Sequence, residues 1–172
     1  VKHVVNTNGQ PLSVDGVFHV ALFSDKNLTH RVSAVNELVF DGSKPTAEAE
    51  FKVTAGKKYY VAETDADGKP LSGAQLFGEG EDAASYSICF GDPADYDNVI
   101  DYPQSAAAEI PESGSADDVE FSNIFDGAKF MVLGSISIDK EVKIGKETKN
   151  VDGSFYVTAE YSQENSDELE KR

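Results

Sequence analysis

The stretch Val14-Asp15-Gly16-Val17-Phe18-His19-Val20-Ala21-Leu22-Phe23 decides the fold. Asp15-Gly16 is turn chemistry, and from Val17 to Phe23 the side chains follow the two-residue period of a strand. The same pattern extends along the chain. Residues 38–40, 49–53, 58–64, 74–77, 86–90, 119–125 and 130–138 are short apolar or alternating runs. Asn8-Gly9, Asp41-Gly42, Ala55-Gly56 and Asp67-Gly68 punctuate them. No segment carries a helical stripe. Many short strands at this spacing indicate an all-β sandwich or barrel, of which the sandwich is the commoner extracellular form.

One segment differs. Residues 79–117 are rich in Gly, Ala, Ser, Asp and Pro, with 86–90 as their best strand. A loop this long inside a compact domain is usually functional or disordered, and the expectation is a long insertion on the sandwich.

The opening pattern returns. Lys2-His3-Val4-Val5 followed by Val14-Asp15-Gly16-Val17-Phe18-His19-Val20 is echoed by Lys140-Glu141-Val142-Lys143 followed by Val151-Asp152-Gly153-Ser154-Phe155-Tyr156-Val157. The shared positions, Val-Asp-Gly-x-Phe-x-Val with an upstream lysine, keep nearly the same spacing in both copies. A period this long means tandem whole domains. The expected organisation is a first domain at 1–127, carrying the insertion, and at 135–172 the truncated start of a second copy. The chain therefore reads as a piece of a longer, repeat-built protein, and the tail after residue 160 is expected to be extended and poorly packed.

Composition narrows the function. The 172 residues carry a net charge of −16. That surface repels phosphate backbones and anionic lipid heads, which disfavours nucleic acid and membrane insertion as partners. The single cysteine, Cys89, excludes an intramolecular disulfide and lies in an apolar run, as a core thiol would. No cofactor motif is present. Asp65-Ala66-Asp67-Gly68 resembles the start of a calcium loop, but its later ligands are missing and a turn is expected. Asp92, Asp95, Asp97 and Asp101 could hold a weak surface cation but read more readily as a solvated loop, and His3, His19 and His30 are too scattered for a metal site.

Strand parity singles out three polar residues. Glu63 shares a face with Tyr59 and Val61, Asn123 with Val119, Phe121 and Phe125, and Lys2 with Val4. If the apolar members point inward, so do Lys2, Glu63 and Asn123. A buried polar group must be paired or react.

At these residues the chain resembles the Cna protein B-type domains of Gram-positive surface proteins and pilins. The resemblance is carried by the early-strand Lys2, by Phe18-x-Val20-Ala21-Leu22-Phe23, by Tyr59-Tyr60-Val61-Ala62-Glu63-Thr64 and by Val119-x-Phe121-x-Asn123. It runs over 1–126, resumes from 135, and covers 79–117 poorly. It implies an immunoglobulin-like, prealbumin-like β-sandwich and an intramolecular isopeptide bond. Lys2 would be the nucleophile, Asn123 the electrophile and Glu63 the proton-handling carboxyl. Desolvation favours a neutral lysine amine, and contact with the carboxamide supplies effective molarity. A protonated Glu63 would hydrogen-bond the Asn123 oxygen. Ammonia leaves once per molecule, so this is self-processing, not enzymatic turnover. Lys140 would be the second domain's lysine, unpaired within this chain.

The resemblance implies a structural stalk or pilin-like module, extracellular and anchored to a cell wall outside this fragment. Its partners would be further repeats of the same polypeptide. The alternative is an adhesin module that binds a host protein or glycan through 79–117.

Overall fold

The computed structural model describes residues 1–80, 83–93, 101–113, 116, 118–126 and 130, and the backbone of 143–144 and 147–148. The chain divides into two compact units, Val1–Ser135 and Ile136–Arg172.

The first unit is built from two sheets, and among the described residues no α-helix occurs. Its strands are β1 (Lys2–Asn6), β2 (Asp15–Phe23), β3 (Asn36–Asp41), β4 (Thr46–Ala47), β5 (Lys58–Thr64), β6 (Ala74–Phe77), β7 (Ala84–Cys89), β8 (Ala106–Glu109) and β9 (Phe121–Asp126). One sheet has the order β4-β1-β9-β7-β6 and the other β3-β2-β5-β8. The strand pairs are antiparallel except β1 and β9, which run parallel with Lys2 opposite Phe121 and Val4 opposite Asn123. In the second unit β10 (Lys143–Ile144) pairs with β11 (Glu147–Thr148). Lys140, the repeated Val-Asp-Gly pattern at 151–157 and the tail after 160 lie outside the described residues.

Alternation places the core between the two sheets. Phe18, Val20 and Leu22 of β2, Leu38 and Phe40 of β3, and Val61 of β5 face Val4, Tyr86, Ile88, Phe121 and Phe125 of the opposite sheet. Burying each large apolar side chain contributes about 1.5–3 kcal/mol relative to exposure. Aromatic rings fill the middle. Phe18 stacks on Phe77 at 5.1 Å and meets Tyr86 edge-on at 5.5 Å. The Phe77 ring comes so close to Gly16 that a Cβ there would lie 2.3 Å from its Cζ. The glycine that begins as half of a turn signal thus also admits an aromatic ring. Behind β2 and β5, Ala21, Phe23, Leu28 and Ala62 form a second cluster on the outer face. This is why β5 ends in four consecutive buried residues.

Two segments depart from the expected pattern. Residues 49–53 do not form a strand; the two-residue β4 precedes them. Ala49 and Phe51 still pack on the core, so the alternation is real, but the Glu50 carbonyl is taken by the Asn36 side chain at 2.9 Å. The stretch 79–117, expected as an insertion, supplies two strands of the sandwich. β7 lies between β9 and β6, and β8 pairs with β5 at a sheet edge. Ala84, Tyr86 and Ile88 alternate into the core, which is what draws β7 into the sheet. The Ala106-Ala107-Ala108-Glu109 run of β8 lacks the β-branched and aromatic residues that mark strands, which hid it.

Candidate functional site

Lys2, Glu63 and Asn123 meet in the interior of the sandwich. Lys2 and Asn123 are each 0% exposed and Glu63 is 1% exposed. Lys2 comes from β1 and Asn123 from β9, where the parallel register sets them diagonally, two residues apart on one face. Glu63 comes from β5 in the other sheet. The cluster therefore exists only once the two sheets have closed on each other.

Glu63 is the hub. Its Oε2 accepts a charge-assisted hydrogen bond from Lys2 Nζ. Its Oε1 accepts from Asn123 Nδ2 at 3.1 Å and from the Tyr86 hydroxyl at 3.1 Å. The Lys2 ammonium lies 4.5 Å from the Phe18 ring centroid and 4.6 Å from that of Phe121. These rings offer the cation their π faces but little else polar. Burial lowers the Lys2 pKa from 10.5 to about 8, against the opposing pull of the Glu63 charge and hydrogen bond. Desolvation wins because a lysine deep in the core exchanges a full hydration shell for one carboxylate. Burial also pushes the Tyr86 hydroxyl far above the ordinary phenol range, reinforced by the Glu63 charge and hydrogen bond.

One contact differs from expectation. Glu63 meets the nitrogen of the Asn123 carboxamide, not its oxygen. Asn123 Oδ1 is buried without a hydrogen-bond partner among the described residues. A carboxylate that already holds the lysine can only accept, so it takes the donor edge of the amide.

Tyr86 is the participant that parity reasoning passed over. It shares a register with Ile88, so its ring had to point inward, and a buried tyrosine must place its hydroxyl on a partner. Which partner depends on strand order, and no local pattern encodes that.

The other residues considered stand apart from this cluster. Asp65 Oδ1 accepts from the backbone nitrogens of Asp67 and Lys69 at 3.0 and 2.8 Å. Gly68 closes that turn at a φ of +86°, a conformation glycine adopts without strain. Cys89 is buried on the outer face of its sheet with Val5 and Ile124, and burial pushes its thiol up. Asp95 and Asp97 lie outside the described residues.

Chemically, one carboxyl bridges an amine and a carboxamide nitrogen in a site shielded from water. Such a bridge can take a proton from Nζ on one oxygen while its other oxygen stands against Nδ2. Comparison of the chain with protein-family models, curated proteins and solved structures finds no match.

Proposed function

We propose that Val1–Ser135 is a Cna protein B-type, immunoglobulin-like module that locks itself with a Lys2–Asn123 isopeptide bond. The observation that carries this reading is the buried contact of Lys2 and Asn123 with the two oxygens of one carboxyl. A lysine and a glutamate buried this deeply are costly to keep. A hydrophobic pair of similar volume would often stabilise the fold as well or better. Their presence beside an asparagine makes sense if they react.

The proton passes from Lys2 Nζ to Glu63 Oε2, leaving a neutral amine. The amine attacks Cγ of Asn123, forming the Nζ–Cγ bond, and charge develops on Oδ1. The Cγ–Nδ2 bond then breaks. The nitrogen departs as ammonia, completed by one of the two protons that Nζ gives up through Glu63; the other stays on the carboxyl. The ion pair and the aromatic rings supply proximity, the dominant requirement for so poor an electrophile. The product is an amide tying β1 to β9.

In this reading the chain is a stalk or pilin-like segment of a wall-anchored surface protein, with further copies of the same module as neighbours. The acidic surface and the absence of disulfide chemistry are compatible with that setting. The experiment is an intact mass of the purified chain. The expected mass is that of the sequence less one ammonia, with a Lys2–Asn123 branched peptide after digestion. A mass with ammonia retained defeats the proposal.

A further inference from the structure

Glu63 has a third partner that the bond-forming scheme does not use. Tyr86 lies on β7 opposite Phe125 of β9, two residues from Asn123. Its ring is held edge-on by Phe18 at 5.5 Å and tilted against Phe125 at 5.2 Å. Its hydroxyl donates to Glu63 Oε1, the same oxygen that receives Asn123 Nδ2.

We infer that Tyr86 is a positioning residue for this reaction, its hydroxyl fixing the Glu63 carboxyl so that Oε2 faces the amine and Oε1 faces the leaving nitrogen. The inference rests on the isopeptide reading above. The terminal torsion of a glutamate is broad, and its two other partners, Lys2 Nζ and Asn123 Nδ2, are the groups that react. A donor on a ring wedged between two phenylalanines is a rigid third point. It also occupies Oε1 together with Nδ2, so a proton taken from Lys2 resides on Oε2. Because burial keeps the Tyr86 hydroxyl protonated well beyond the range in which Lys2 titrates, it remains a donor wherever the amine can react.

The charge balance gives a signature that mere packing does not. Bond formation needs one proton shared between Lys2 and Glu63. Low pH adds a second proton, on the carboxyl, and stops the reaction. A donor to the carboxylate opposes that second proton. Removing it therefore moves the acid limb of the pH–rate profile to higher pH. Among the described residues the titratable groups facing the carboxyl are Lys2 from β1 and Tyr86 from β7; β9 contributes the neutral Asn123.

The test follows the loss of ammonia by intact mass after a pulse of cell-free synthesis of the full chain, across pH. Tyr86→Phe keeps the ring and removes one hydrogen bond. It is expected to slow linking roughly tenfold and to move the acid limb to higher pH. Site-specific 3-fluorotyrosine at position 86, a stronger donor of nearly the same shape, is expected to shift the limb the opposite way. Its result stands even if the phenylalanine variant folds poorly, which a thermal melt will show. Native rate and an unmoved acid limb in both variants overturn the role of Tyr86 alone. A native chain that never loses ammonia overturns the isopeptide reading, and the role of Tyr86 with it.

Discussion

Among the described residues two lysine–glutamate pairs behave in opposite ways, one between neighbouring strands of a sheet and one between the two sheets. Lys58 and Glu109 sit at the edge between β5 and β8, 2.8 Å apart, with side chains 48% and 78% exposed. Lys2 and Glu63 make the same kind of contact in the core. At the edge, the hydrogen bond and charge of Glu109 raise the Lys58 pKa. In the core, loss of water outweighs the same two attractions, and the Lys2 pKa falls to about 8. Pairing makes a lysine hold its proton; burial makes it let go. Only the second kind of lysine is prepared to act as a nucleophile.

The comparison breaks most visibly at Glu63. Glu63→Ala removes the proposed proton carrier and leaves Lys2 without a counter-charge. The expected outcome is a chain that keeps its ammonia. An unpaired buried charge costs about 3–5 kcal/mol. The missing cross-link, by analogy with disulfides closing a loop of roughly 100 residues, costs about 4–5 kcal/mol more. Together these approach the whole stability of a typical domain. Denaturant unfolding with mass detection measures both, and a linked, stable Glu63→Ala chain would contradict the assignment.

Asn123→Ala separates the ion pair from the proposed bond. The link cannot form, and the stability loss expected from calorimetry is about 4–5 kcal/mol. This variant also exposes the Lys2 titration. The folded amine binds its proton with a pKa of about 8 and the unfolded amine with 10.5. Between these values the unfolded chain holds more protons, so stability rises with pH across that window, by up to about 1.4 kcal/mol per unit. The linked chain has an amide nitrogen in place of the amine and is expected to show no such rise. Parallel pH series of the two proteins decide this.

Lys58→Met is the smallest perturbation. The edge pair is solvated and screened, so the melting curve and the extent of linking are expected to match those of the native chain. A clear drop in either would mean that the edge pair shares the role assigned to the core.

Much of this site was legible because parity is a local property. Glu63 follows Val61 by two residues, Asn123 follows Phe121, and Lys2 precedes Val4; in each pair both side chains turned inward. What parity does not contain is which strands become neighbours. The diagonal placement of Lys2 and Asn123 comes from the parallel register of β1 and β9. The hydroxyl of Tyr86 comes from β7 joining the same sheet. Both depend on chain closure over long separations. The same limit explains the misread segments. β8 is a run of three alanines and a glutamate that becomes a strand because β5 offers it an edge. Residues 49–53 alternate well, yet their Glu50 carbonyl is met by the Asn36 side chain, outside any strand ladder.

The parallel pairing of β1 with β9 has a further consequence for load. Because the two strands point the same way, a pull on the start of β1 and the end of β9 drags them past each other lengthwise. Their hydrogen bonds then share the strain in shear and do not peel one at a time. A Lys2–Asn123 amide would sit at the entry to that shear plane. Tension would cross from one strand to the other through a side chain before most of the ladder felt it. The sandwich would then be a bystander to the force that its own folding had taught it to carry.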